Sequence, residues 1–238
     1  MYRREGRGAM ERNDSTPSRV VWIWGAGLVF VVVIAAVAFF TSRPADTPTA
    51  TDAAVTTSGA ALPGFSPDVA LNDPAVGLPA PAVTGLSFNG DTVSVSPGDG
   101  TPKVLILLAH WCGICQREVP SLVQWSESGG DLDGVEVIAV ATAIDRTRGN
   151  WPPGAWLQGE RWPFPTIVDD DTSAAGAAYG VTGFPHFVAI DADGNVVART
   201  SGNIGVAGFE KLLDAARTGE PTIVVPEGVV LPGAPQPS

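Results

Sequence analysis

Residues 104–120 read Val104-Leu105-Ile106-Leu107-Leu108-Ala109-His110-Trp111-Cys112-Gly113-Ile114-Cys115-Gln116-Arg117-Glu118-Val119-Pro120. The first six form an unbroken apolar run, the pattern of a strand buried on both faces. The residues after this run predict a helix over 113–127, beginning at or beside Cys112. Two cysteines three positions apart on a helical turn share one face, about 5–6 Å from each other. A disulfide needs Cα atoms roughly 4.4–6.8 Å apart, so this spacing suits a bridge that opens and closes. A helix N-terminus presents unpaired N–H groups and about half a positive charge. That field favours a thiolate on the first cysteine over the second, and such placement lowers a thiol pKa from about 8.5 to roughly 3.5–7.5. Cys112 is the expected nucleophile and Cys115 the expected resolving thiol.

Other uses of the pair fit less well. Zinc wants four ligands, but the chain has two cysteines and two histidines, and His110 with His186 makes a poor complement. Haem attachment needs a histidine after the second cysteine, where Gln116 stands. A static disulfide would close a two-residue loop and gain little loop entropy. The peroxiredoxin pattern places a hydroxyl residue three positions before its cysteine, and Ala109 occupies that place. A copper-binding module using Cys112, Cys115 and His186 is the rival of a different class, since soft thiolates suit Cu(I).

Working outward, the pattern alternates between strands and helices. Residues 82–87 and 92–95 flank Asn89-Gly90-Asp91 and predict a β-hairpin. Residues 135–143 form a second buried strand. Residues 150–165 hold four prolines and three tryptophans and predict no regular element; Trp151, Trp156 and Trp162 line a client groove or cap the sheet, with burial the commoner fate of large aromatics. A short helix is expected over 172–179, capped by Asp171 or Thr172. Residues 186–191 and 195–199 flank Asp193-Gly194 as a second hairpin. Residues 207–217 make a closing amphipathic helix, with Phe209, Leu212, Leu213 and Ala216 on one face. Strands separated by helices argue for a central sheet covered on both sides.

The segment Trp111-Cys112-x-x-Cys115-x-x-Glu118-x-Pro120 resembles the thioredoxin superfamily, and within it the TlpA/ResA-like membrane-anchored thiol–disulfide oxidoreductases. Tyr179-Gly180-Val181-Thr182-Gly183-Phe184-Pro185 is similar to the family's loop ending in a cis-proline. The resemblance covers residues 78–217. It implies an α/β thioredoxin-like fold, a central mixed β-sheet flanked by helices with an N-terminal β-hairpin, preceded by one transmembrane helix. It implies disulfide reductase activity on protein thiol/disulfide clients, no cofactor, and a membrane electron-transfer partner. Cys112 and Cys115 would be catalytic. Trp111, Glu118, Pro120, Phe184, Pro185 and His186 would support the site or touch the client, and no metal ligand is assigned. Two positions depart from the pattern. Ile114 replaces the usual proline, and Ile106 replaces the buried carboxylate of thioredoxin six residues before the first cysteine. His186 could stand in for that proton relay, although an ordinary polar strand residue is the commoner role. His110 could assist the Cys112 thiolate, and Gly113-Ile114 adds no charge, so a moderate Cys112 pKa and client reduction rather than oxidation are expected.

Composition agrees. The 238 residues are 45% hydrophobic and 16% charged, apolar enough for a core. A net charge of −11 argues against a nucleic-acid partner. Residues 20–40 (VVWIWGAGLVFVVVIAAVAFF) carry no charge. At about 1.5 Å per residue they span a bilayer core of about 30 Å. The run is longer than a signal peptide's apolar region, and residues 39–43 make a poor cleavage site. Before it, five arginines against Glu5, Glu11 and Asp14 give +2. Basic flanks stay in the cytoplasm, so the expectation is a single-pass protein of the cytoplasmic membrane, N-terminus inside and catalytic domain extracytoplasmic. The expected domains are a cytoplasmic tail over 1–19, a transmembrane helix over 20–40, a flexible linker over 41–73, the thioredoxin-like domain over 74–218 and a Pro/Gly-rich tail over 219–238.

Overall fold

A computed structural model describes residues 55–67 and 72–229. The apolar run 20–40 and the basic tail before it lie outside the described residues. Among the described residues no helix is long and apolar enough to cross a membrane.

The apolar run forms β4 (Lys103–Leu108), fully buried along its length and central in a mixed sheet. Its neighbours are β5 (Glu136–Ala141), parallel, and β7 (His186–Ile190), antiparallel. Outside them lie β6 (Thr166–Val168) and β8 (Val196–Ser201), giving the order β6-β5-β4-β7-β8. Successive side chains of a strand point to opposite faces, and β4 divides accordingly between two cores. Val104, Ile106 and Leu108 pack with α1 (Cys115–Glu127) and α4 (Gly205–Thr218) through Val119, Leu122, Phe209 and Leu212. Leu105 and Leu107 pack on the other face with Tyr179, Val83 and Val95. This double cover is why β4 shows no polar alternation.

The hairpin expected at Asn89-Gly90 is present as β2 (Ala82–Leu86) and β3 (Thr92–Val95), antiparallel, with Gly90 at a φ of 83°. It lies over the second core. Gly85 is required there, because a Cβ at that position would sit 2.6 Å from the Ile167 side chain. The second hairpin and the closing helix also form, the helix starting two residues earlier than expected.

Four stretches differ from the sequence reading. Residues 55–67 and 72–73, expected within a flexible linker, are packed. Thr56–Ser58 form β1, an edge strand on β2. Leu62 and Phe65 are buried and donate their N–H groups to the Ala178 and Gly180 carbonyls. Asp73 forms a buried ion pair with Arg199, 2.8 Å from Oδ2 to Nε and 2.5 Å from Oδ1 to Nη2. Residues 221–229, expected as a loose tail, bury Val224 in the first core and hydrogen-bond to Val197 and Asn203. Residues 153–159 form α2, which begins at Pro153. Proline is well suited to a first helical turn, where its missing N–H costs nothing. The short helix α3 (Ala174–Ala178) is capped from Asp169 and Asp170, not from Asp171 or Thr172. Asp169 accepts the N–H groups of Ala175 and Gly176, and Asp170 that of Ala174.

Candidate active site

The chain leaves β4 at Leu108 and turns through His110 and Trp111 into α1. The helix proper starts at Cys115, two residues later than the expected onset, and the Cys112 carbonyl accepts the N–H of Gln116 at 3.1 Å. Cys112 therefore sits at the mouth of the helix, half-buried, while Cys115 is buried in the first core. Both are free thiols.

Their electrostatics are opposite. The Cys112 thiol is lowered to about 5 by the Cys115 S–H aimed at it, by the N–H groups of Cys115 and Ile114, and by Arg117, against the opposing effect of burial. Burial raises Cys115, and the neighbouring Cys112 thiolate raises it further. One sulfur is thus an accessible thiolate at neutral pH and the other a protonated, sheltered thiol. The Cys112 value falls within the range expected at a helix mouth, where donors from the backbone and Cys115 act in place of the apolar Gly113-Ile114. His110 makes no hydrogen bond to Cys112. Its Nδ1 lies 2.7 Å from the Gly149 carbonyl and its Nε2 accepts the Asp145 N–H at 3.1 Å, so both nitrogens are engaged by one loop.

The other expected residues divide into two groups. Trp111, Phe184 and Pro185 come to the cysteines. The Phe184–Pro185 bond is cis, and the Phe184 carbonyl lies 3.5 Å from Cys112 Sγ. The Trp111 and Phe184 rings meet edge-to-face at 5.9 Å, and Trp111 Nε1 donates to the Ala143 carbonyl at 2.7 Å. Glu118 lies one turn beyond Cys115 on the buried face of α1. Burial pushes its carboxyl up to about 7, with the Ile204 and Gly205 N–H groups at the start of α4 holding it lower and the Glu227 carboxylate working with burial. Neither carboxyl oxygen has a hydrogen bond of ordinary geometry.

Pro120 and His186 do not join the site. Pro120 is exposed on α1 and contributes by leaving the Gln116 carbonyl without its i+4 donor. His186 lies on the opposite face of the sheet from Cys115, in line along β7 with Val188 and Ile190 of the second core. It packs edge-on against Phe65 at 5.4 Å beside the Asp73–Arg199 pair. Burial and Arg199 lower it to about 3, so it stays neutral. That placement removes both the relay role and the Cys112/Cys115/His186 copper set; among the described residues no three His, Cys, Asp or Glu side chains are grouped to hold a metal.

The tryptophans also divide. Trp156 and Trp162 pack against the first core, whereas Trp151 meets His110 edge-to-face at 6.1 Å beside the cysteine turn. Sequence reasoning passed over residues 144–149 and extended the preceding strand to 143, whereas it ends at Ala141; the loop runs over 142–152 and takes in Trp151. Asn150 donates to the His110 carbonyl, and Arg148 stacks its guanidinium 3.6 Å from the Trp111 ring centre. One signal could have found it: the loop leaves the carboxyl end of a strand parallel to β4, where open α/β sheets place their ligands.

A Redoxin family model matches residues 75–213, which run from β2 into α4 and include the cysteine turn, the Phe184–Pro185 loop and most of both cores. The chain belongs to the Redoxin family. Its fold is the thioredoxin-like one expected. A hypothetical protein from Sinorhizobium meliloti 1021 is similar in fold, with a TM-score of 0.51 at 16% identity over 66% of this chain and 88% of that one. The thioredoxin domain of a thiol-disulfide oxidoreductase from Bacteroides vulgatus matches with a TM-score of 0.49 at 23% identity, over 60% and 99% of the two chains. A thiol:disulfide interchange protein of the thioredoxin family from Chlorobium tepidum matches with a TM-score of 0.48 at 23% identity, over 58% and 94%. No curated protein sequence matches. Within this Redoxin protein, Cys112 and Cys115 are the two thiols that the fold sets at the end of its central strand.

Proposed function

We propose that this Redoxin protein is a thiol–disulfide oxidoreductase that reduces disulfides of protein clients through Cys112 and Cys115. The carrying observation is the pairing of a half-buried thiolate at the helix mouth with a buried, protonated thiol on one helical turn. The Cys112 thiolate attacks one client sulfur; the client S–S bond breaks and the departing sulfur leaves as a thiolate that takes up a proton. A Cys112–client disulfide remains. Cys115 loses its proton, attacks Cys112 and expels the second client thiolate. Two electrons pass to the client, and Cys112–Cys115 becomes a disulfide. The cysteines carry these electrons themselves, so no cofactor enters. A membrane electron-transfer partner returns the pair to its reduced state.

The TlpA-like character rests on the Glu118-x-Pro120 extension. Anchoring in the cytoplasmic membrane, with the catalytic domain outside, rests on the uncharged run 20–40 and the basic tail before it. A Cys115→Ser variant in whole cells tests the exchange reading, because it halts the reaction at the mixed disulfide. Clients captured by Cys115→Ser and not by Cys112→Ser support it; capture by neither, or by the wrong variant, refutes it.

Oxidation of client dithiols is the second reading, and one observation favours it. A Cys112 thiol at about 5 stabilises the reduced pair, which moves the potential towards the oxidising end. Equilibration with glutathione decides direction: a potential between about −180 and −270 mV supports reduction, and one above about −150 mV reverses it.

A further inference from the structure

Arg146 and Arg148 take no part in the chemistry above, yet both are held at its mouth. Their loop is tied to the two residues before Cys112. His110 binds the Gly149 carbonyl and the Asp145 N–H, Trp111 Nε1 binds the Ala143 carbonyl, and Asn150 reaches back to the His110 carbonyl. Each arginine is laid over an aromatic ring, Arg148 at 3.6 Å from the centre of Trp111 and Arg146 at 5.4 Å from that of Trp151. Both are exposed, as is Arg117, which donates to the Gly113 carbonyl at 3.1 Å. The segments meeting at Cys112 are 109–117, 143–152 and 180–186. Together they carry these three arginines against one acidic residue, Asp145. The Asp145 carboxylate is turned into its own loop, accepting the Thr147 N–H at 2.9 Å and hydroxyl at 2.7 Å.

We propose that this arginine rim is a docking surface for clients that present acidic side chains, on an extended segment, within a few residues of the reacting cysteine. The proposal rests on the exchange reading and names the client class for the same site. The chain as a whole carries −11 and repels acidic partners; the ground around the nucleophile is locally reversed. The Arg148 guanidinium, stacked on Trp111, keeps its N–H edges open to a carboxylate, and the stack fixes it beforehand, so less side-chain freedom is lost on pairing. Rim charges of this kind act on encounter and on partner choice, and salt weakens them.

The test uses reduced full-length protein in nonionic detergent and three synthetic peptide disulfides. The peptides differ only in the residues flanking the cysteine: a pair of Glu, of Gln or of Lys. Each second-order rate is divided by the rate with dithiothreitol, which removes the peptide's own reactivity. At low ionic strength the Glu peptide is expected to be reduced about three- to tenfold faster than the Lys peptide. The ratio should fall towards one in about 0.5 M salt and in R146Q/R148Q, and invert in R146E/R148E. Arg117 is left in place because it acts on the Cys112 thiolate itself. Taking ratios within each protein cancels any loss of folded material. Equal Glu and Lys rates in the natural protein, or an unchanged ratio in both variants, overturn the proposal. Failure to reduce any peptide, Gln included, overturns the exchange reading and the proposal with it.

Discussion

Replacing Glu118 by Gln should change how stability depends on pH in a defined direction. Glu118 is fully buried, and its carboxyl is raised from the ordinary 4.5 to about 7, chiefly by burial. The folded state thus keeps a proton that the unfolded chain releases. Stability from this group is fully present below pH 4.5 and is lost as pH rises to about 7, then stays level. At about 1.4 kcal/mol for each unit of pKa, the loss across that window is about 3 kcal/mol. Gln keeps the shape and an acceptor for the Ile204 and Gly205 amides, and it does not ionise. Denaturant midpoints of reduced natural protein and Glu118→Gln, taken from pH 4 to 8.5, isolate the effect as a difference between two curves. The curves should lie close together at pH 4.5 and separate by about 3 kcal/mol at pH 8, with the variant the more stable. Parallel curves would show that Glu118 ionises without penalty and that burial does not hold its proton.

Two further outcomes test the packing around the site. Asp73→Ala leaves the Arg199 guanidinium buried without its carboxylate and should cost about 3–5 kcal/mol in urea unfolding; a loss under about 1 kcal/mol would show that residues 72–73 are not held through this pair. His186→Leu removes two ring nitrogens that lack hydrogen-bond partners and should raise stability by about 1–3 kcal/mol. The gain should grow as pH falls below 6.5, because the unfolded histidine takes up a proton that the folded one, at about 3, refuses. A variant less stable than the natural protein at pH 5 contradicts that placement.

The central strand, the cysteine turn and the Phe184–Pro185 loop were legible because each has a strong local signature: an unbroken apolar run, a fixed cysteine spacing, and a proline where the chain reverses. The packing of residues 55–67 and 72–73 was not. β1 is exposed at all three positions and carries no alternating pattern, and Val55, Leu62 and Phe65 are scattered marks of the part that packs. What holds it is long-range: Arg199 on β8 gathers Asp73 and the Pro63 carbonyl. His186 was misjudged for a related reason. Its place beside Pro185 in sequence says nothing of the face it takes, and strand alternation turns it away from Cys115. Residues 144–149 were overlooked because their anchors are the Asp145 N–H and the Gly149 carbonyl, which no sequence pattern reports.

The measurement closest to the central claim is the pH dependence of iodoacetamide alkylation at each cysteine of the reduced, folded protein, resolved by peptide mass. Cys112 should react with a midpoint at about 5, following its thiolate, while Cys115 stays unmodified through pH 9. A Cys112 midpoint at or above the free-thiol value of about 8.5, or equal reaction at both sulfurs, would contradict the division of the pair into nucleophile and resolving thiol.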